Sequence, residues 1–459
     1  MVLFLFFCSQ FARGKKKFLS MKFRLFYIVF AHCLGTLQFG YHLAELNAPE
    51  AFISCRQLTT IDGIITSIYS LGGLVGASIS GPFNGKYGRK TVALSACIPY
   101  LLGSLLMSTA QTILHLELGR FLCGLGAGVS VVVVPLYLNE ISPVAQRGQF
   151  GFMSQLAINL GILLAQTCGL FFSDYGDWRY IFAVGAGLAA LNAILVLATP
   201  ESPKWLATAG HLRAGRRCLE YLRDSNKVDH EFESYIKPQR GTEEETLFIV
   251  TECDDENNSD ADPEAAPGLP SRGTKPVSIW KFGTARRFRR QLVSVIGLMA
   301  FQQICGVNSI VFYSVEVLAG LLPRLAPVLN CIISAITCVI VIASASIVDR
   351  HGRKVLLLAS MAGMAATAAS LGYGMGVASA TLTAVSATAF VASFALGLGP
   401  VPFMMVPELV ASDAANAAQS IGMAVNWFSQ FLVGIVFTWC CVPETKNKTS
   451  MVEVWGRTP

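Results

Sequence analysis

Long apolar stretches leave this chain few possible folds. Lipid offers no partners for backbone N–H and C=O groups, so an apolar run of about 20 residues crosses a bilayer only as a helix. Such stretches fall near 25–44, 61–83, 91–110, 117–139, 150–172 and 179–199, and again near 291–318, 325–348, 355–376, 380–405 and 418–441. The first group has six members and the second five. In each group a long apolar run is followed by the same short basic turn, Gly85-Lys86-Tyr87-Gly88-Arg89-Lys90 in one and Asp349-Arg350-His351-Gly352-Arg353-Lys354 in the other. Two helical sets carrying one turn predict parallel repeats around a central pathway, which is transporter architecture. The expected fold class is an all-α polytopic membrane protein.

Composition agrees, since 53% of the 459 residues are hydrophobic and only 14% are charged, against about 25% charged in a soluble domain. Basic residues near helix ends stay on the cytoplasmic side. Lys15 to Lys17, Lys86 to Lys90, Arg147 and Arg350 to Lys354 all reach that side if the N-terminus is cytoplasmic. The expected organisation is a cytoplasmic segment 1–24, a first bundle 25–199, a connecting loop 200–290, a second bundle 291–442 and a tail 443–459. Nothing at the N-terminus reads as a cleavable signal, because the apolar stretch Met1 to Phe7 precedes its positive cluster. Residues 241–271 hold ten Asp or Glu and no Lys or Arg, which reads as a disordered insert in the connecting loop and offers a place for cytosolic partners. The net charge of +6 reads as topology plus attraction to anionic inner-leaflet lipid, not as nucleic-acid binding.

The 13 cysteines lie mostly inside apolar stretches, where Cys behaves as a small hydrophobe, and form no disulfide framework or metal pattern. No Walker A sequence, nucleophile elbow, zinc-protease motif or dinucleotide fingerprint occurs, so a resident ATPase, catalysis and a cofactor have no support.

Further strings complete a pattern: Gln38-Phe39-Gly40-Tyr41, Asn47-Ala48-Pro49, Gly119-Arg120-Phe121, Pro135-Leu136-Tyr137, Glu140-Ile141-Ser142-Pro143, Arg147-Gly148 and Pro200-Glu201-Ser202-Pro203-Lys204-Trp205. The second half adds Gln302-Gln303-Ile304-Cys305-Gly306-Val307-Asn308, Gly399-Pro400-Val401-Pro402, Asn426-Trp427 and Pro443-Glu444-Thr445-Lys446. In this order they resemble the sugar-porter branch of the major facilitator superfamily, the facilitative hexose transporters, over nearly the whole chain. The helix-one string with His42 looks most like a fungal vacuolar-protein-sorting-associated, sugar-transporter-like subgroup. The resemblance implies a fold of two six-helix repeats, here 6+5, in a plasma membrane or, secondarily, a vacuolar or other internal membrane.

A hexose presents hydroxyls all round and weakly apolar ring faces, so its site needs neutral donors and acceptors with an aromatic wall. Gln155, Gln302, Gln303 and Asn308 are amides in apolar spans, where an unsatisfied polar group is costly. The resemblance puts these four in a central sugar pocket, with helix-to-helix hydrogen bonding the plainer alternative. It adds Trp427, Phe39 and Phe403 as aromatic positions. Gly306 weakens helix seven where a gate would bend, and Tyr313 matches an outer-gate tyrosine. Pro400 and Pro402 are expected to break helix ten by removing backbone donors. Met299-Ala300-Phe301, Thr337 and Ala395 depart from the glucose pattern and point to a wider, less polar pocket.

Glu140, Arg147, Arg89, Asp349, Arg353, Glu201 and Glu408 resemble a charge network that clamps the two halves at the cytoplasmic face. Proton-coupled relatives carry an aspartate where this chain has His42, facing the position of Arg120. A protonated His42 beside Arg120 would be repelled, so His42 is expected to stay neutral; the pair then lacks a carboxylate for a proton cycle, and uniport is the expectation. The family's twelfth helix has no room, because helix eleven fills the span between Trp427 and Pro443. Two functional classes follow: a hexose carrier, or a non-transporting sensor or trafficking factor built on the carrier fold.

Overall fold

A computed structural model describes residues 16–46, 59–143, 147–172, 177–223, 228–236, 277–308, 310, 326–377, 379–411 and 414–441. Every regular element among them is helical. The first half comprises α1 (Lys16–Ala44), α2 (Thr59–Tyr87), α3 (Arg89–Ser108), α4 (Ile113–Ile141), α5 (Arg147–Phe171) and α6 (Trp178–Leu197). Short helices α7 (Pro203–Thr208), α8 (Leu212–Arg223), α9 (Asp229–Ile236) and α10 (Ile279–Thr284) lie in the connection. The second half comprises α11 (Arg289–Ile304), α12 (Ala326–His351), α13 (Arg353–Gly376), α14 (Ala380–Leu396), α15 (Pro400–Glu408) and α16 (Ala415–Cys441).

Seven helical segments are long and apolar enough on their described residues to cross a membrane. Three others, α1, α2 and α16, have 29, 29 and 27 residues, enough to span at 1.5 Å per residue. Their polar side chains, among them Gln38, His42, Asn84, Gln419 and Asn426, are buried inside the protein. α16 runs unbroken to Cys441, so the interval between Trp427 and Pro443 holds one helix and no twelfth.

Small residues let the helices meet backbone to backbone. A Cβ on Gly124 or Gly128 of α4 would lie 2.1 Å from a carbonyl oxygen of α2, and one on Gly161 of α5 would lie 2.0 Å from Leu37 O of α1. Between helices in lipid, where burial of apolar surface provides no drive, such close packing is the main attraction. The halves meet along α2 and α16, where Gly73 faces the Trp427 ring and Gly81 faces Ser420. They meet again along α5 and α12, where Ser334 Oγ donates to Gln166 Oε1 at 2.6 Å.

Both copies of the basic turn have one backbone form. Gly88 (φ 91°, ψ 168°) separates α2 from α3, and Gly352 (φ 83°, ψ 161°) separates α12 from α13. Only glycine adopts that region readily.

Candidate functional site

Two helix interruptions face each other at the centre of the second half. α11 ends at Ile304 and Gly306 takes φ 82°. The helix-ten stretch breaks at Gly397 to Gly399, between α14 and α15, and not at Pro400 and Pro402. The reason is positional: Pro400 opens α15, where its missing N–H has no intrahelical partner to lose. The break leaves carbonyls free, and Gln302 satisfies two of them, its Nε2 donating to Leu398 O at 2.8 Å and Gly399 O at 2.9 Å.

Asn426 of α16 ties this arrangement together. Its Nδ2 donates to Gln302 Oε1 at 2.8 Å and Met299 O at 3.1 Å, while its Oδ1 accepts from Gln303 Nε2 at 2.9 Å. Asn308 Nδ2 then donates to Gln303 Oε1. Three of the four expected amides therefore belong to one buried network whose hub, Asn426, was named in the sequence only as part of a motif.

Beside the network lies a cavity of about 90 Å³, partly open to solvent. Its first-half wall carries Phe39, Gln155, Asn159 and Gln166; its second-half wall carries Gln302, Gln303, Asn308, Asn330, Ser334, Thr337, Phe394, Phe403 and Asn426. Among the described residues that line it, none is charged. Gln155 Nε2 donates weakly to Asn159 Oδ1 at 3.4 Å. That leaves Asn159 Nδ2 and Asn330 Nδ2 as buried donors on the cavity wall without a partner among the described residues. Neither was singled out in the sequence, although both show the signal that found Gln155, an amide inside an apolar span.

Other expected positions fall elsewhere. Trp427 does not line the cavity: it is 1% exposed, slots against Gly73 of α2, and meets Phe39 and Tyr69 edge-on at 5.3 and 5.6 Å. It supports Phe39 from behind. Met299 and Ala395 are buried in helix packing, Ala300 is half-buried and Phe301 is exposed on the outer surface, so of the five positions that depart from the glucose pattern only Thr337 reaches the wall. Tyr313 lies outside the described residues, as do the side chains of Arg147 and Asp349.

A second buried cluster stands between α1 and α4, and it corrects the expectation that His42 and Arg120 lack a carboxylate. Glu45, one turn beyond His42 and fully buried, accepts from His42 Nδ1 at 2.8 Å and from Arg120 Nη1 at 3.0 Å. Arg120 Nη1 also donates to His42 O, and its guanidinium lies 4.4 Å from the Tyr69 ring centre. Nothing in the sequence marks this acid, which lies in the turn just past the end of α1, outside the strings that carry the resemblance.

At the other end, Arg89 Nη2 lies 2.7 Å from Glu140 Oε1, and Ser202 Oγ donates to Glu140 Oε2 at 2.5 Å. Glu201 Oε1 accepts from the N–H groups of Arg89 at 2.9 Å and Lys90 at 3.1 Å, so it caps the start of α3. Burial pushes the Glu201 carboxyl above its ordinary range, while the N–H groups of Ser202, Lys90 and Arg89 and the Arg89 charge pull it back. In the second half Arg353 pairs with Glu408 at 3.1 Å. Both ion pairs are internal to their own half; the polar contact that crosses from this cluster is Arg89 Nη2 to Asn416 Oδ1 at 3.4 Å.

The sequence model of the family described as "Sugar (and other) transporter" matches residues 28–443. A probable metabolite transport protein of Saccharomyces cerevisiae is 33% identical over 92% of this chain and 93% of its own length. Vacuolar protein sorting-associated protein 73 of the same yeast is 28% identical over 90% of this chain and 87% of its own. Among solved structures, the major facilitator proton:xylose symporter XylE, with 6-bromo-6-deoxy-D-glucose bound, superposes with a TM-score of 0.74 at 22% identity, covering 91% of this chain and 88% of that one.

Proposed function

Since this chain belongs to the sugar (and other) transporter family and has the major facilitator fold, we propose that it is a facilitative carrier of hexose-type sugars. Alternating access would turn the two halves about the central cavity, with Gly306 and the Gly397 to Gly399 break as bending points. The observation that carries the reading is the cavity itself. It lies between the halves and, among the described residues, presents amides and aromatic rings without a charge and keeps two unpaired donors at Asn159 and Asn330. Gln155, Gln303 and Asn308 supply further hydrogen bonds to sugar hydroxyls, Phe39 and Phe403 cover ring faces, and Gln302 holds the helix break.

Uniport rests on the state of Glu45. One of its oxygens accepts from Arg120 and the other from His42, so both are engaged by side chains of the first half. Proton coupling is a second reading with one observation in its favour: a buried carboxylate faces Arg120, in a fold shared with a protein described as a proton:xylose symporter. A non-transporting role in sorting draws on the name of the yeast relative. The plasma membrane is the proposed location, with the vacuolar membrane the alternative.

Uptake of labelled hexoses by the purified chain in liposomes tests these readings together. A uniporter equilibrates sugar with or without a protonophore. Accumulation that collapses with the proton gradient supports the second reading, and saturable binding without uptake supports the third.

A further inference from the structure

The connection enters the second half through a stretch that the carrier reading does not use. α10 and the 3-10 turn Arg286–Phe288 lead directly into the spanning helix α11. Two aromatic side chains anchor the stretch inward: Phe282 and Phe288 are 0% and 6% exposed, with ring centres 5.1 Å apart. The charged side chains around them face out. Lys281, Arg286, Arg287, Arg289 and Arg290 are all exposed, and Trp280 is 80% exposed. Among the described residues, none of these five cations has an acidic partner.

The height of this patch follows from α11. Val293, Ile296, Phe301 and Ile304 are exposed apolar side chains on that helix, so they face lipid, and Arg289 and Arg290 stand one turn before the first of them. Arginines at that level meet phospholipid headgroups, and an indole beside them sits where one end of the ring is wet and the other apolar. A topology signal alone requires only positive charge near a helix end. It does not require four arginines on one anchored turn with an exposed tryptophan.

We propose that residues 280–290 form a binding site for anionic phospholipid headgroups, in which Arg286, Arg287, Arg289 and Arg290 take the headgroup phosphate and carboxylate oxygens and Trp280 lies at the interface. Guanidinium groups suit this ligand because their forked donors match such oxygens in pairs. Clusters of this size beside a spanning helix hold anionic lipid at about fivefold in affinity per basic residue. The buried anchors tie the patch to α16, since Phe282 and Phe288 share a core with Ala417, Ala418 and Ile421, and α16 also carries Asn416, the partner of Arg89 across the halves.

The test reconstitutes the full chain in phosphatidylcholine vesicles containing a trace of photoreactive phosphatidylserine or photoreactive phosphatidylcholine, and maps the labelled peptides. The expected result is several-fold stronger labelling of residues 277–290 by phosphatidylserine, falling about fivefold in each of R286Q and R290Q and by less in R286K and R290K, which keep the charge and lose the forked donors. Single substitutions leave the neighbouring charges to hold topology. Equal labelling by the two lipids, or full loss of labelling when inorganic phosphate is added, would overturn the proposal. So would labelling that appears only after removal of residues 241–271, which would make the acidic segment the occupant. The readout does not involve sugar, so its failure leaves the carrier reading standing.

Discussion

At the first basic turn Arg89 and Glu140 are 2.7 Å apart with side chains 6% and 9% exposed, whereas at the second Arg353 and Glu408 are 3.1 Å apart with 33% and 45% exposed. The backbones match, yet the surroundings do not. A Cβ on Gly88 would lie 2.4 Å from Glu201 Oε2, while one on Gly352 meets nothing within 4 Å. The same short motif is thus locked in one half and loose in the other. What locks the first copy is the segment after α6, where Glu201 and Ser202 close over Arg89, Lys90 and Glu140; the chain supplies Arg353 with a partner on α15 alone among the described residues. A motif's sequence therefore fixes its backbone, and its neighbours decide whether it bears load.

Thermal unfolding of purified variants in detergent can break this comparison. Arg89→Ala should have the largest effect, about 3 to 5 kcal/mol, because it strands Glu140 as a buried unpaired charge. Gly88→Ala should follow, with about 1 to 3 kcal/mol for the backbone and a further loss from displacing Glu201. Gly352→Ala should show the backbone loss alone and so fall short of Gly88→Ala. Arg353→Ala should change stability by less than about 1 kcal/mol, as exposed pairs do. Equal losses at Arg89 and Arg353 would erase the distinction between the copies.

A pH slope sharpens the same comparison and is the smallest of these effects. Burial raises the folded-state pKa of Glu201, so its protonated form suits the native state better than its ionised form. Its contribution is complete at pH values below the ordinary carboxyl range and declines as pH rises through the raised value. Glu201→Gln should remove that part of the slope, measured as unfolding temperature against pH, and leave the second turn's behaviour unchanged.

The helices were legible because a bilayer demands apolar length: each of the six stretches of the first half holds a helix, as do those of the second half from 325 onward, while 291–318 is helical to Ile304 and lies largely outside the described residues beyond 308. Their internal breaks were harder to place. Pro400 and Pro402 suggested a break at themselves, but proline is tolerated at a helix start, so the chain parts at Gly397 to Gly399 instead. Apolar periodicity is weak in helices that are hydrophobic all round, which hid the inward or outward direction of single side chains. Phe301 faces out, Trp427 faces the α2 interface, and Asn159 and Asn330 face the cavity. Polar residues near helix ends carry still less signal, and Glu45 shows its importance only when α1 is packed against α4.

The central claim is that the amide-lined cavity holds a hexose, and titration calorimetry of the purified chain with hexoses measures this directly. Wild type should bind saturably. Asn159→Ala and Asn330→Ala should each weaken binding by about 0.5 to 1.5 kcal/mol, the worth of one hydrogen bond, and leave the unfolding temperature unchanged, whereas Gln302→Ala should lower it by stripping the carbonyls of Leu398 and Gly399 of their donor. Absence of saturable binding, or unchanged affinity in both asparagine variants, would contradict the account.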